Sequence, residues 1–392
     1  MTGTHLSLIL LPTLSCNADC DYCFEVKTND SLTLDRFALL LEKVLAYMNE
    51  QAIQKLTIYW QGGEVMMLPP EWYEQAHDVI QEAAVAKDRE IDNALQTNLI
   101  GYNNKWNRIL FQMFGNSLGS SLDYPNLHRK LPGGSPHEFT AIWHRNFQVA
   151  KEAGIDIGVI SIPNIETFKV GAERFYSYFV DDLGITNFQI NTPFPGGPIT
   201  ETKKTYPLET DQLTKFLLDL ADIWFKNGYR NGVKVGPFDE LIKYFIEGDA
   251  QLPCIWRDNC VNELVSIDPN GNVAQCDCWV TSYPEFRFGN IFSLNSFSNL
   301  LKNSEARQRL QSRPRFLIQQ EDCLECDYLA ICHGGCPIRT YSNTGNIFTK
   351  DPYCHTYKSL FSYMEQHAAK LAQSRISGYP KAKKSSLSDI KR

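Results

Sequence analysis

Cysteine placement constrains this chain more than any other feature. Cys16, Cys20 and Cys23 form C-x3-C-x2-C, and nine more cysteines fall between Cys254 and Cys354. Twelve thiols would suit a disulfide scaffold only in a small secreted chain, and this one has 392 residues. No Lys or Arg precedes Lys27, and the apolar stretch Leu8 to Leu11 ends at Pro12, too short for a signal peptide's core. No run reaches the roughly 18 apolar residues of a membrane helix. The expectation is a cytoplasmic protein, where thiols stay reduced and clustered cysteines bind metal.

Up to about residue 235, short β-rich runs alternate with longer helical ones. The expected strands are 6–11, 55–60, 93–98, 116–123, 156–164 and 186–192. Between the first two, Phe37, Leu40, Leu41, Val44, Leu45 and Met48 recur at helical spacing. Further helices are expected over roughly 70–86 and 140–153, with 209–248 read as helices. Such alternation implies parallel strands joined by right-handed crossovers. Six units are too few for an eight-fold barrel and suit an open, partial one. In parallel architectures the chemistry sits at the C-terminal strand ends, and the loops after the first two strands hold PTLSCNADCDYCFE and QGGEVMM.

Beyond residue 250 the pattern breaks up around the nine cysteines, and metal bonds are expected to hold that segment together. The expected division is a barrel over 1–235, a bridge and cluster domain over 236–370, and a basic, disordered tail over 371–392. Six Lys/Arg against Asp389 give residues 375–392 a net charge of +5, which leaves −12 on the body of a chain of net charge −7. So acidic a body argues against nucleic acid as a partner.

Three thiolates in C-x3-C-x2-C complete neither a four-thiolate iron–sulfur cluster nor a closed zinc site, so one metal position stays open. CNADCDYC, with Tyr22 before the third cysteine, resembles the signature of the radical S-adenosylmethionine (SAM) enzymes. In that family the open iron binds SAM and an electron from the cluster cleaves it to a 5'-deoxyadenosyl radical. The resemblance implies a partial (β/α)6 radical SAM barrel of the α/β class, with Cys16, Cys20 and Cys23 as ligands of a 4Fe-4S cluster. It also implies SAM contacts. Gln61-Gly62-Gly63-Glu64 resembles the GGE motif that receives the amino group. Ser121 and Asp123 resemble ribose and carboxylate contacts, and Asn98 and Asn191 occupy comparable strand ends. Turn formation is the alternative reading for Ser121, Asn98 and Asp123.

The C-terminal cysteines resemble the SPASM extension of radical SAM peptide-modifying enzymes, which holds two auxiliary 4Fe-4S clusters; a zinc ribbon is the alternative from spacing alone. Carried across, Cys254, Cys260, Cys276 and Cys336 would hold one cluster, and Cys323, Cys326, Cys332 and Cys354 the other. Cys278 is left over. Asp277 follows a cluster cysteine as does the proton acceptor of the anaerobic sulfatase-maturating enzymes; capping a turn or tuning the cluster is its alternative role.

The resemblance implies a substrate residue inside a polypeptide. Val65-Met66-Met67 stands where sulfatase maturases usually have Pro after GGE, and Asp123-Tyr124-Pro125 stands in place of their Asp-Gly-Pro. These departures favour hydrogen abstraction from a β-carbon of a ribosomally made precursor peptide, closing a crosslink such as a cyclophane. Formylglycine formation on a sulfatase is the alternative, and an iron–sulfur electron carrier or scaffold a third reading that leaves QGGE unexplained. The expected partners are the peptide and a flavodoxin- or ferredoxin-type electron donor; since only fifteen residues precede Cys16, the peptide is expected to be gripped by the bridge region, the barrel mouth or a separate leader-binding protein. Trp106, Trp143 and Trp279 are candidates to line the peptide path, with core packing as the alternative.

Overall fold

The computed structural model describes residues 5–193, 209–248, 251–257, 260–293, 296–320 and 322–377. Among the described residues, ten strands form a single mixed sheet. β1 (His5–Leu10), β2 (Lys55–Trp60), β3 (Glu90–Thr97), β4 (Ser117–Ser121), β5 (Asp156–Ser161) and β6 (Asn187–Ile190) lie within the six expected runs to within three residues. They pair in parallel in chain order, β1 Leu10 standing opposite β2 Trp60.

A seventh parallel strand, β7 (Lys234–Gly236), pairs with β6. It divides the region expected to be wholly helical, and at three residues it is too short to show alternation. On the opposite edge β8 (Leu264–Ile267) pairs in parallel with β1. β9 (Asn272–Ala274) and β10 (Gly289–Asn290) follow in antiparallel fashion. The cysteine-rich region thus extends the barrel's own sheet, and its first turn reaches the mouth beside β1.

Helices cover the outside. α1 (Leu34–Glu50) buries the six expected apolar residues and Tyr47, each contributing about 1.5–3 kcal/mol of transfer free energy. α2 (Pro70–Lys87) and α3 (Asn107–Phe114) follow. α4 (Pro136–Glu152) starts earlier than expected, because Ser135 and Glu138 form a capping box around Pro136. Trp106, Trp143 and Trp279 are all buried in the core, and the Trp143 indole donates to Ser120 Oγ at 2.9 Å. Packing, not a peptide path, uses these rings.

α5 (Ile165–Ser177), α6 (Thr210–Asn227) and α7 (Phe238–Glu247) complete the barrel side. The C-terminal region is more helical than expected: α8 (Asp277–Ser282), α9 (Phe297–Asn303), α10 (Glu305–Gln320), α11 (Leu329–Cys332), α12 (Pro337–Thr344) and α13 (Cys354–Ser377). α13 packs on α6 and α7. Thr214 bonds Thr356 across this interface at 2.9 Å. The helix continues to Ser377, past the expected start of the tail at 371; residues 378–392 lie outside the described residues. No helix among the described residues is long and apolar enough to cross a membrane.

Candidate active site

The three N-terminal cysteines sit on a loop closed at its base. Thr13 bridges Ser31, and Leu14 N–H donates to the Asp30 carbonyl at 2.9 Å. Lys27 Nζ reaches back to the Ala18 carbonyl at 2.6 Å, pinning the excursion internally. On one flank, Asp19 N–H and Asp21 N–H donate to the carbonyls of Lys130 and His128. Burial pushes Cys16 up to about 12, Cys23 up to about 11, and Cys20 in the same direction. Thiols so desolvated ionise only beside a cation, which suits a metal cluster as their counter-charge.

The loop after β2 forms the other flank. Gln61 N–H donates to the Leu10 carbonyl at 3.1 Å and Glu64 N–H to the Ser15 carbonyl at 2.8 Å. Gly63 has φ of +40°, and a β-carbon there would stand 2.5 Å from the Ser15 carbonyl oxygen. Only glycine permits so close a backbone approach. Glu64 is 2% exposed. Its Oε1 accepts from Met66 N–H at 3.0 Å and Thr97 Oγ1 at 2.5 Å, and its Oε2 from Asn98 N–H at 2.7 Å. This carboxylate ties the loop to the end of β3, leaving the glycine backbone to face the loop of cysteines.

The other predicted SAM contacts are distributed around the same mouth. Asn98 donates to Asn17 Oδ1 at 2.7 Å, and Gln96 donates to Ser121 Oγ at 2.9 Å. Tyr22 donates its hydroxyl to Asp123 Oδ2, while Asp123 Oδ1 accepts from Ile162 N–H at 2.9 Å. Arg129 Nε stands 3.1 Å from Asp123 Oδ2. Both oxygens of Asp123 are therefore engaged within the protein, and Arg129, which the sequence reading missed, is the buried cation beside Cys20. Asn191 follows β6, its N–H donating to the Ser161 carbonyl at 2.9 Å next to the Ile162 that bonds Asp123, and it also lines a cavity of about 220 Å³ with Cys254, Arg339 and Tyr357.

The C-terminal thiols gather in two places. Cys260 lies within electrostatic reach of Cys336, Cys254 and Cys276, and Gln275 donates to its sulfur. Cys323, Cys326, Cys332 and Cys354 line one small cavity. Between the two sets, Arg313 is buried and donates to the carbonyls of Ile347 (2.6 Å), Gly334 (3.0 Å), Gly335 (3.1 Å) and Thr349 (3.2 Å). It braces the turn between Cys332 and Cys336. Burial pushes both of those thiols up to about 12. The donor sets fit two further clusters on the same chemical ground as the first.

The two halves meet at Asp277. Gln61 Nε2 donates to Asp277 Oδ2 at 2.7 Å. Desolvation raises the Asp277 carboxyl, opposed by local N–H groups and Gln61. Cys276, Asp277 and Cys278 place their ligand atoms within 4.8 Å of one another, so the spare thiol stands against the same turn. Ser282, at the end of α8, donates to the Phe24 carbonyl. Next to Phe24, both carboxylate oxygens of Glu25 are shielded from solvent without a hydrogen-bond partner. Glu25 was not singled out from the sequence; an acidic residue two positions after the last cysteine was its only signal.

Comparison with known proteins places these features in context. An iron-sulfur cluster-binding domain model, SPASM, matches residues 254–327. The cysteine-type anaerobic sulfatase-maturating enzyme of Clostridium perfringens (strain 13 / Type A) is 26% identical over 371 residues, covering 91% of this chain and 96% of that protein. The serine-type enzyme of Bacteroides thetaiotaomicron is 25% identical over 352 residues, covering 84% and 82%. In fold, the chain resembles native anSMEcpe with bound AdoMet and Cp18Cys peptide, with a TM-score of 0.80 at 23% identity over 95% of this chain and 99% of that one. Streptococcus suis SuiB bound to precursor peptide SuiA matches at 0.58 and 15% identity, over 89% and 75%.

Proposed function

We propose that this chain, a radical SAM/SPASM maturase using SAM and iron–sulfur clusters, removes a hydrogen from a side-chain β-carbon within a precursor peptide and closes an intramolecular crosslink such as a cyclophane. When bound, the cofactors supply the one-electron chemistry that breaks the C–H bond. In this reading Cys16, Cys20 and Cys23 hold the catalytic cluster, and the barrel over 1–235 positions SAM. The extension over 236–370 holds the two auxiliary clusters through Cys254, Cys260, Cys276 and Cys336, and through Cys323, Cys326, Cys332 and Cys354.

Closing a crosslink by hydrogen abstraction removes two hydrogens overall, so a second proton and an electron must leave the substrate. Asp277 is the proton acceptor. The observation that carries this role is the Gln61 amide on Asp277 Oδ2 at 2.7 Å. That bond, together with the local N–H groups, orients the carboxylate that takes the substrate's proton. Cys276, adjacent in sequence, belongs to the set that would hold the electron acceptor. A flavodoxin- or ferredoxin-type donor, a separate leader-binding protein and a cytoplasmic setting complete the proposal.

Crosslinking is preferred over formylglycine formation because the mouth departs from the sulfatase-maturase pattern beside the GGE motif and Asp123. Val65 and Met66 are buried after Glu64, and Tyr124 stacks on Tyr178 with centroids 3.7 Å apart where the sulfatase maturases usually have Gly. Formylglycine formation has a specific observation in its favour, the near full-length likeness to both types of sulfatase-maturating enzyme. The test is coexpression with the short peptides or sulfatases encoded beside the gene, followed by mass spectrometry. A loss of two hydrogens, with backbone fragments missing between two residues, supports crosslinking. A carbonyl trapped by a hydrazine reagent overturns it.

A further inference from the structure

Where the ends of β6 and β7 face the turn that carries Cys254, the chain encloses a cavity of about 220 Å³ that the proton and electron steps above leave unused. Its apolar wall has two sides: Leu217 on α6 and Pro237 just past β7 on one, Ile255, Trp256 and Leu360 on the other. Leu217, Trp256 and Leu360 are each no more than 2% exposed, so core packing fixes the wall. Asn191 carries the cavity toward the mouth. Its N–H bonds the Ser161 carbonyl, one residue from the Ile162 N–H that holds Asp123. Its side-chain amide lines the cavity without a hydrogen bond among the described residues. Gln189, beside it, reaches only the Ile190 carbonyl at 3.3 Å. Gly236 makes room for this amide, since a β-carbon there would stand 1.8 Å from Gln189 Oε1. On the remaining side, Arg339 is buried and donates to the Tyr357 hydroxyl.

Protein interiors rarely leave a void larger than a water molecule, and an apolar cavity of roughly 150 Å³ already admits a benzene ring. The space here therefore suits one large side chain. It is not the seat of a cluster: Cys254 alone of its set lines it, whereas Cys323, Cys326, Cys332 and Cys354 all line a cavity of their own. The wall narrows the guest further. Leucine, isoleucine and proline surfaces favour an apolar body. Arg339 offers a cation to the face of a ring, for which an aliphatic guest has no use. The unused amide groups of Asn191 and Gln189 suit the polar edge of an indole or a phenol.

We propose that this cavity receives an aromatic side chain of the substrate peptide, a tryptophan or tyrosine close in sequence to the residue that loses hydrogen. This rests on the peptide-modifying reading above and names the side-chain class that the reading leaves open. The residues around the cavity bind the ring, and no bond is made or broken by them; the proton still passes to Asp277. Held against Asn191, the ring has a fixed position relative to the mouth, which closure of a crosslink onto an aromatic acceptor requires.

The test separates recognition from chemistry. An mRNA-displayed library of random short peptides is selected anaerobically on the cluster-loaded protein with SAM and without reductant, so that no turnover occurs. Peptides recovered by the wild type are expected to carry Trp or Tyr at one position. Replacing that residue by alanine is expected to weaken capture roughly tenfold or more, the scale of burying one large side chain. L217W fills the cavity from α6, away from the proposed ligands, and is expected to exchange the preference for Ala or Gly at the same position. A leucine with a merely structural role would weaken all peptides alike. Iron content reports whether L217W folds, and L360F fills the cavity from the opposite wall if it does not. The place of binding is read on the unaltered protein. A phenylalanine carrying a diazirine at the selected position is expected, on irradiation, to label the tryptic fragments holding Leu217, Ile255 or Leu360. Four results overturn the proposal: no aromatic preference in the wild type, recovery of Asp or Glu there instead, an unchanged preference in the folded cavity-filled variant, or labelling confined to other fragments. Failure of the crosslinking reading shows instead in the mass of the product and leaves the selection intact.

Discussion

Gln61, on the loop after β2, donates its amide to Asp277 Oδ2 at 2.7 Å although 216 residues separate the two in sequence. The bond exists because β8 adds to the barrel sheet against β1, Ser7 to Leu10 pairing with Leu264 to Ile267. That register brings the turn after β9 over the loop after β2. A residue of the SAM-binding half thus orients a residue of the cluster extension.

Replacing Asp277 by Asn keeps the shape and removes the proposed proton acceptor. Product is expected to fall by roughly 100-fold or more, the usual scale for losing a general base. Formation of 5'-deoxyadenosine without product is expected to persist, since the three N-terminal cysteines are untouched. Q61A removes only orientation and is expected to cost about tenfold. The double variant should be no worse than D277N alone, because the amide has nothing left to orient. Single-turnover chromatography of both products checks all three, and a D277N enzyme with full product removes Asp277 from the mechanism.

Cys276 and Cys278 flank Asp277 with their ligand atoms within 4.8 Å, which makes the pair an internal comparison. If the sets are three plus four plus four, the loaded protein holds about twelve irons. C276S is expected to lower this toward about eight, whereas C278S is expected to leave it near twelve. Iron analysis with protein quantification decides, and equal losses in the two variants would make Cys278 a ligand.

Much of the fold was legible because its signals are local. The six strands fall at the expected places, and α1 shows its stripe from Phe37 to Met48. β7 was missed because three residues carry no period. α13 was missed although Tyr357, Leu360, Phe361, Met364 and Ala368 are buried at helical spacing; the cysteines around it drew the reading toward irregular structure. At the site, motifs located the loops and not how each atom is used. QGGE is recognisable as a sequence, yet only the structure shows Glu64 tying down β3 and Gln61 reaching Asp277. Arg129, Arg313 and Glu25 were invisible for a different reason. Their importance comes from what faces them across the fold, and a single sequence carries no record of that.

Gly63 tests the close approach of the two mouth loops. A β-carbon there would meet the Ser15 carbonyl oxygen at 2.5 Å and the Leu14 carbonyl carbon at 2.8 Å, both backbone atoms. Gly133 also has positive φ, +67°, but nothing lies within 4 Å of its added β-carbon. G133A is expected to cost about 1 kcal/mol from backbone strain alone. G63A must in addition push the cysteine loop away, so SAM binding is expected to weaken beyond any change in thermal stability. Titration of SAM into both loaded variants, alongside their melting temperatures, separates the effects. Equal SAM affinity in the two would show that the loops are free to part.

Arg313 offers the sharpest test of how the extension is held together. Its guanidinium supplies four short backbone contacts, to Ile347, Gly334, Gly335 and Thr349, from a side chain that is 5% exposed. Methionine fills a similar volume but leaves those carbonyls buried without donors, at about 1–3 kcal/mol for each that water cannot reach. The braced turn carries Cys332 and Cys336, one from each proposed auxiliary set. R313M is therefore expected to lower the melting temperature by several degrees and to lose iron from both sets together, down toward about four per chain. Lysine has the charge without the planar fork and cannot span carbonyls on both sides, so R313K is expected to fall between the two. Because the N-terminal loop lies outside this brace, formation of 5'-deoxyadenosine is expected to survive in R313M while modified peptide disappears. Iron retained near twelve in R313M, with normal product, would show that the cysteines hold the turn without the arginine.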